Sequence, residues 1–427
     1  MNIQNMRRYR AIFVISFYAF FIYLFYYGFS TSNAVVDYGD VETYLHTISD
    51  LESGIESALK QGVREFILPS GIRVTLTLDT ELQSVVNDIF VKYDLPVGSF
   101  IAIEPKSGKI IAMSGYSSRD GLLMEPNLLA SYPAASLIKI ITASAALEEL
   151  KFSPGTEISY RSGLYRVSQL DLRTPESNRY PTMTLTEAIA KSANNVFGKL
   201  TANYIGRERF IKYLDRFCFS RSLPFDFDVE ESFAQVPEED LELARAGAGF
   251  GKMMISPIHA AMIGASVANN GVMMRPYIVE SIRDKRGNVL YLAKEEILAK
   301  TVQPETAKNL IRMMKKTPVF GTMRRAFSKR KWRKLAQKFD VAGKTGSITW
   351  GPPKLRYEWS LGIAPASAPS ICFVSLTGNN DLWHIKSTHV VREALAEYFN
   401  YDYKKTVRKK KAKKRKRRKR TNRRNQS

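Results

Sequence analysis

From Ala11 to Ser30 the chain reads AIFVISFYAFFIYLFYYGFS, twenty positions without a charge. At about 1.5 Å per helical residue this run spans roughly the 30 Å hydrocarbon core of a bilayer, so it predicts a transmembrane helix. Residues 31–70 follow as a juxtamembrane segment, in which VETYLHTISDLESGIESALKQGVREF sets Leu, Ile and Val at helical intervals among charges. IRVTLTLDTELQ alternates apolar and polar positions like a strand, and Asp79 or Thr80 caps the helix after it, Thr80 with Gln83 forming a capping box. SFIAIEPKSGKIIAMSGY predicts a hairpin turning at PKSG, and helices are expected over 134–150, 185–205 and 256–270. Beyond Phe339 come three strand patterns, KFDVAGKTGSITW, YEWSLGIAP and SICFVSLTG, and a final amphipathic helix over 382–399. Strands at both sequence ends with helices between them predict an α+β domain whose sheet pairs distant segments.

Composition changes this picture at the two termini. The 427 residues are 44% hydrophobic, with 23 Phe and 21 Tyr, which excludes general disorder. Of the 64 Lys and Arg, 16 lie in residues 404–424; the rest of the chain carries 48 against 41 Asp and Glu and is only mildly basic. The tail KKTVRKKKAKKRKRRKRTNRRNQS has no apolar periodicity, so 404–427 is expected to be disordered. Arg7, Arg8 and Arg10 precede the apolar run and Asp37, Asp40 and Glu42 follow it, which places 1–10 in the cytoplasm and everything after about residue 36 outside it. A cleaved signal peptide is the alternative, but the run exceeds a usual signal core, and an uncleaved anchor over 11–30 is the expectation. On that topology nucleic acid is an unfavoured partner for the tail, and anionic lipid or an acidic envelope polymer a better one. Two cysteines, Cys218 and Cys372, and four scattered histidines have no metal-ligand spacing, so no metal or other cofactor is implied.

Candidate chemistry starts at YPAASLIKIITASAALEEL, where Ser136 and Lys139 stand three residues apart at the head of an apolar helix. A chain of this length contains roughly one or two SxxK matches by chance, and SALK at 57–60 and SKRK at 328–331 also match. Only SLIK sits where its lysine would lose water. That placement matters because a serine hydroxyl needs a neutral base, and a lysine becomes neutral near pH 7 only when desolvated or beside another cation. Two further clusters follow, KSANN with Ser192 and Asn194, and VAGKTGS with Lys344, Thr345, Gly346 and Ser347 on a strand pattern. Lys344 and Thr345 offer a cation and a hydroxyl to a carboxylate, and Gly346 clears the space where a peptide would lie along the strand. AGAGFGKMM at 246–254 suggests a phosphate loop but fails the GxxxxGK[ST] spacing.

SxxK, SxN and KTG in this order resemble the penicillin-binding protein and serine β-lactamase superfamily. The likeness extends through LTLDTELQ, IAIEPKSGKIIAMSG, LTEAIAKSANNVF, SPIHAAMIGASVANNGVMMRPYIV, GTMRR and WSLGIAPAS, covering roughly residues 70–400. It implies a transpeptidase domain over 71–403, with an antiparallel sheet flanked by helices and an all-helical subdomain. It also implies Ser136 as the acylated nucleophile, Lys139 as its base and Ser192 as a proton relay. Asn194 would hold the substrate amide, Lys344 and Thr345 its terminal carboxylate beside Gly346, and the backbone N–H groups of Ser136 and Ser347 the oxyanion. The expected substrates are peptidoglycan stem peptides ending in D-Ala-D-Ala, with β-lactam antibiotics as covalent ligands. No glycosyltransferase region resembling the family's precedes the domain, so strand polymerisation is expected from a partner.

Three readings compete with cross-linking. A D,D-carboxypeptidase would give the same acyl-serine to water. A class A β-lactamase would need a Glu in an ExxxN pattern, and VEESFAQ, with Glu230 and Glu231, has no Asn four residues on. A β-lactam sensor or a membrane-anchored scaffold would use the fold without turnover.

Overall fold

The structure, a computed structural model, describes residues 38–381 and 384–401. The expected anchor at 11–30 and the basic tail at 404–427 lie outside the described residues, and among those described no helix is long and apolar enough to cross a membrane.

Six strands form the central sheet: β1 (Val97–Ile103), β2 (Ile110–Ser117), β3 (Gly121–Leu123), β4 (Ala342–Trp350), β5 (Leu355–Ala364) and β6 (Ile371–Asn379), in the order β4-β5-β6-β1-β2-β3. Every neighbouring pair is antiparallel, and β6 pairs with β1 from Cys372↔Ile103 to Gly378↔Val97, so the sheet joins segments far apart in sequence, as expected. Alternate residues of β6 enter opposite cores. Cys372, Val374 and Leu376 face the large helical side, while Ile371 and Phe373 face the smaller one, which is the period of two that a strand buried on both faces requires.

The smaller core is covered by α1 (Thr80–Tyr93) and a C-terminal helix. Helix α1 buries Leu82, Val86 and Phe90 at four-residue intervals, and Asp79 caps it by accepting from Leu82 N at 3.0 Å. The capping box expected of Thr80 and Gln83 does not form. Gln83 is buried and instead donates to Leu59 O and Met113 O at 3.0 and 2.9 Å, because a core position leaves its amide no water.

On the other face lie α2 (Ile138–Glu149), α3 (Leu185–Lys191), α4 (Asn194–Lys199), α5 (Asp240–Gly247), α6 (Pro257–Ala268) and α7 (Pro304–Met314). A Cβ on Gly264 of α6 would press into Cys372 and Leu361, so this glycine lets the helix lie against the sheet. The single helix expected over 185–205 is broken. Ser192 closes α3 in the left-handed region (φ 57), Ala193 is extended, α4 begins at Asn194, and 200–205 winds as a π turn. Apolar periodicity reads through the break because both halves bury their apolar residues, Leu185 and Ile189 before it, Val196 and Phe197 after it. The last helices are α8 (Arg330–Lys338) and α9 (Ser387–Tyr398), the latter starting five residues after the expected 382.

Candidate active site

Tyr132 and Pro133 lead into a 3-10 turn, Ala135–Leu137, that runs on into α2. Ser136 is the one residue of 132–147 that is not buried, so a hydroxyl faces outward from an otherwise apolar segment. The turn is held from three sides: Ala134 N donates to Met253 O at 2.7 Å, Trp359 Nε1 on β5 donates to Pro133 O at 2.8 Å, and Gly249 lies against the Ala135 carbonyl, where a Cβ would collide. Ala135 and Ser192 both have positive φ, 46° and 57°, a conformation that costs a residue with a Cβ about 1–2 kcal/mol. Strain of this kind, paired across one cleft, points to function.

One turn along from Ser136, Lys139 is fully buried, and its Nζ lies 2.6 Å from Ser136 Oγ, 2.7 Å from Asn194 Oδ1 and 2.6 Å from Ala248 O. The two carbonyl oxygens only accept. A neutral Lys139 therefore directs its two N–H groups at Asn194 and Ala248, which leaves its lone pair for the Ser136 hydroxyl, the one partner with a proton to give. Lys344 on β4 is also fully buried, and its Nζ donates to Ser192 Oγ at 2.9 Å and to Thr345 O at 2.6 Å. Asn194 Nδ2 donates to Tyr165 O at 2.9 Å, so both ends of that amide are engaged and its orientation is set.

Strand β4 is the open edge of the sheet, and it runs beside the Ser136 turn. A Cβ on Gly346 would stand 3.1 Å from Ser136 N, so any side chain there would fill the space in front of the Ser136 N–H. Ser136, Ser192, Asn194, Thr345, Gly346 and Ser347 line one cleft of about 590 Å³. The other two SxxK matches lie elsewhere: Ser57 and Lys60 are exposed on the helix Tyr38–Gln61, and Ser328 is exposed just before α8.

Residues 98–398 match the family described as "Penicillin binding protein transpeptidase domain". The chain belongs to this family.

Two curated relatives of the transpeptidase domain are "Stage V sporulation protein D" of Bacillus subtilis and "Peptidoglycan D,D-transpeptidase PbpA" of Mycolicibacterium smegmatis. The first is 27% identical over 323 residues, 70% of this chain and 49% of that protein; the second is 25% identical over 348 residues, 72% of this chain and 67% of that protein. The chain thus spans about half the length of one and two-thirds of the other. Its fold is that of the penicillin G acyl-enzyme complex of penicillin-binding protein A from Mycobacterium tuberculosis (TM-score 0.63, 21% identity, 88% of this chain and 91% of that one). It is also that of the D,D-transpeptidase domain of an Eggerthella lenta peptidoglycan glycosyltransferase (TM-score 0.63, 24% identity, 77% of this chain and 83% of that one).

Burial sets the electrostatics of the transpeptidase cleft. Lys139 is held well below the usual lysine value, first by desolvation and then by the charge of Lys344. Lys344 is itself pushed down to about 7 by burial. Two neighbouring lysines in dry surroundings thus favour a free amine at Lys139 near neutral pH.

Several features of the domain carry no sequence signal. Ala248, which receives Lys139, and Gly249, which abuts the serine turn, belong to the glycine-rich AGAGF stretch, so that stretch packs against the buried lysine and the Ser136 turn. Asp171 is buried and accepts from Ser162 N at 2.8 Å, Arg161 N at 3.1 Å and Ser168 Oγ at 2.8 Å, which fixes the loop whose Leu164 and Tyr165 carbonyls hold Asn194. Thr322 bonds to Thr345 through their hydroxyls, and Glu358, Trp359 and Thr388 complete the far wall of the cleft. Glu230 lies outside it, with its carboxylate accepting from Ala130 N at 2.8 Å beside a separate recess. His259 is a buried packing residue, with Nε2 2.6 Å from Phe217 O, and both cysteines are buried and free. Among the described residues no cluster of metal-ligating side chains is found.

Proposed function

We propose that the chain is a peptidoglycan D,D-transpeptidase acting through an acyl-enzyme at Ser136. The observation that carries the reading is the placement of a fully buried Lys139 Nζ 2.6 Å from Ser136 Oγ, with its other two neighbours able only to accept. Lys139 takes the Ser136 proton as Oγ attacks the carbonyl carbon of the penultimate D-Ala. The tetrahedral oxyanion meets the N–H groups of Ser136 and Ser347. The C–N bond then breaks as Ser192, hydrogen-bonded to Lys344, passes its proton to the departing D-Ala amine and is reprotonated by the Lys139 ammonium, which returns Lys139 to the free amine. Thr345 and Lys344 anchor the terminal carboxylate, Gly346 leaves room for the peptide along β4, and Asn194 fixes the substrate amide once it exchanges Tyr165 O for it. In the second half the amine of a neighbouring stem peptide attacks the ester, loses its proton to Lys139, and Oγ leaves with that proton. A β-lactam follows the first half only, its opened ring staying attached to Ser136.

The M. smegmatis relative is named a peptidoglycan D,D-transpeptidase, and M. tuberculosis penicillin-binding protein A has been captured as a penicillin G acyl-enzyme. Both support cross-linking over β-lactam hydrolysis, as does the structural engagement of Glu230 away from the cleft. The family and the Arg-flanked apolar run together support a single-pass inner-membrane protein, N-terminus inside, with the transpeptidase domain on the extracytoplasmic side. A separate glycosyltransferase would supply the glycan strands, and the tail would meet anionic lipid or envelope polymer.

The test uses the full chain in right-side-out membrane vesicles, supplied from outside with a D-Ala-D-Ala-terminated peptide and a labelled D-amino acid. The expected product is the peptide with its last D-Ala exchanged for the label. Hydrolysis alone would make the protein a carboxypeptidase, and product formed only after permeabilising the vesicles would contradict the placement outside the cytoplasm.

A further inference from the structure

Residues 315–339 contain ten Lys or Arg and no Asp or Glu. This density is separate from the tail and from the catalytic motifs. The fold displays it: α8 turns Trp332 and Leu335 into the core, and eight of the ten cations are exposed, Lys316, Arg324, Arg333 and Lys334 among them. Lys316, Arg324 and Arg333 stand around a concave recess of about 500 Å³ whose floor is apolar, with Pro318, Phe327 and Ala336. Lys315, on its rim, is neutralised by Asp340 at 2.8 Å, the single acidic group among the recess residues.

We propose that this surface, the turn 315–325 with α8, is a binding site for a linear polymer of phosphate groups. Like charges held this close repel one another in the folded state, and a partner that brings one negative charge per repeat removes the repulsion and releases its own counterions. One cation of the patch, Lys329, contributes as the last of three to the field at a partly buried histidine. His389, on the neighbouring α9, is pushed down to about 4, first by burial and then by Arg392, Lys386 and Lys329. The described chain also ends beside α8. Tyr401, the last described residue, donates to Lys331 O at 3.2 Å and sets its ring against Phe339 at 6.0 Å, so the chain leaves for its 16 further cations from the face of α8. At its other end the strip reaches the cleft, since Thr322 bonds to Thr345.

A strand-like partner fits better than a bilayer. A helix that lies in a membrane interface needs a free apolar face, and that of α8 is spent on the core; Val319 and Phe320 are exposed at one end of the patch only. A recess flanked by cations offers charge to a single polyanionic chain instead.

The experiment uses the full chain in detergent micelles with long-chain inorganic polyphosphate as the probe, titrated at several salt concentrations. The variant K316Q/R324Q/R333Q/K334Q is expected to bind about tenfold more weakly or worse, with a shallower salt dependence. A variant with the tail cations replaced by Gln is expected to keep a salt-sensitive affinity that the fourfold change then removes. Fluorescent penicillin labelling equal to that of the unaltered chain reports that the fold is intact. Should the fourfold variant lose labelling, R333Q/K334Q carries the same expectation at about threefold. Unchanged affinity in the folded-surface variants, or binding to phosphatidylglycerol vesicles with none to polyphosphate, would overturn the proposal.

Discussion

Lys139→Met is expected to lower the rate of penicillin acylation at pH 7 by about 10²–10⁴-fold, the usual range for loss of a positioned general base. Met matches the lysine stem in length and suits a fully buried site, so the fold should persist. What disappears is the lone pair facing Ser136 Oγ. The two carbonyls of Asn194 and Ala248 lose a partner, at about 1–3 kcal/mol each where water cannot replace it, so a lower melting temperature is expected beside the rate loss. Lys139→Arg should fail as well, because a guanidinium keeps its proton at any usable pH. Stopped-flow labelling decides: rates within tenfold of the unaltered enzyme would move the base elsewhere, Ser192 being the nearest alternative.

Lys344→Met is expected to slow acylation by about 10²-fold or more, as removal of one transition-state donor does, and to change its pH profile. Lys344 titrates at about 7, and its charge is one of the two causes that depress Lys139. Without it, Lys139 keeps its proton to higher pH, so the rising limb of the rate profile moves alkaline. Stability supplies a second readout with a fixed sign. The unfolded chain holds the Lys344 proton up to the ordinary lysine value, 10.5, while the folded one releases it at about 7. Over that window the unfolded state binds more protons, so Lys344 makes stability rise with pH from about 7 upward, and below about 7 the buried charge is carried at full cost. The melting temperature of the unaltered chain, taken relative to that of Lys344→Met, should therefore rise as pH increases from about 7. A variant with an unshifted rate profile would show that Lys344 acts on substrate alone.

The two buried lysines of the cleft were legible because the chemistry proposed for them fixes residue type, order and surroundings at once. SLIK could be separated from SALK and SKRK by its apolar setting, and the structure finds Lys139 fully buried and Lys60 exposed. Strands β5 and β6 and the hairpin of β1 and β2 were equally visible, since strands buried on both faces read as apolar runs bounded by turns, whereas β4, polar and partly exposed along its outer half, was marked by the VAGKTGS cluster instead. Backbone roles were not. The carbonyl of Ala248 and the absent side chain of Gly249 leave no chemical mark in sequence, and AGAGF looked like a failed phosphate loop for that reason. The break at Ser192 was hidden by continuous apolar periodicity, though it is what turns Ser192 and Asn194 into the cleft. Asp171 was invisible because a carboxylate that organises a loop belongs to no motif. Thr80 and Gln83 had the spacing of a capping box, and tertiary burial of Gln83 overrode it.

The central claim is that Ser136 forms a covalent ester with the carbonyl of its substrates. It is tested most directly by trapping the full chain with penicillin, digesting it and locating the adduct by tandem mass spectrometry. The expected result is one stoichiometric adduct on the peptide bearing Ser136, absent from Ser136→Ala. An adduct on another residue, or equal labelling of Ser136→Ala, would contradict the account.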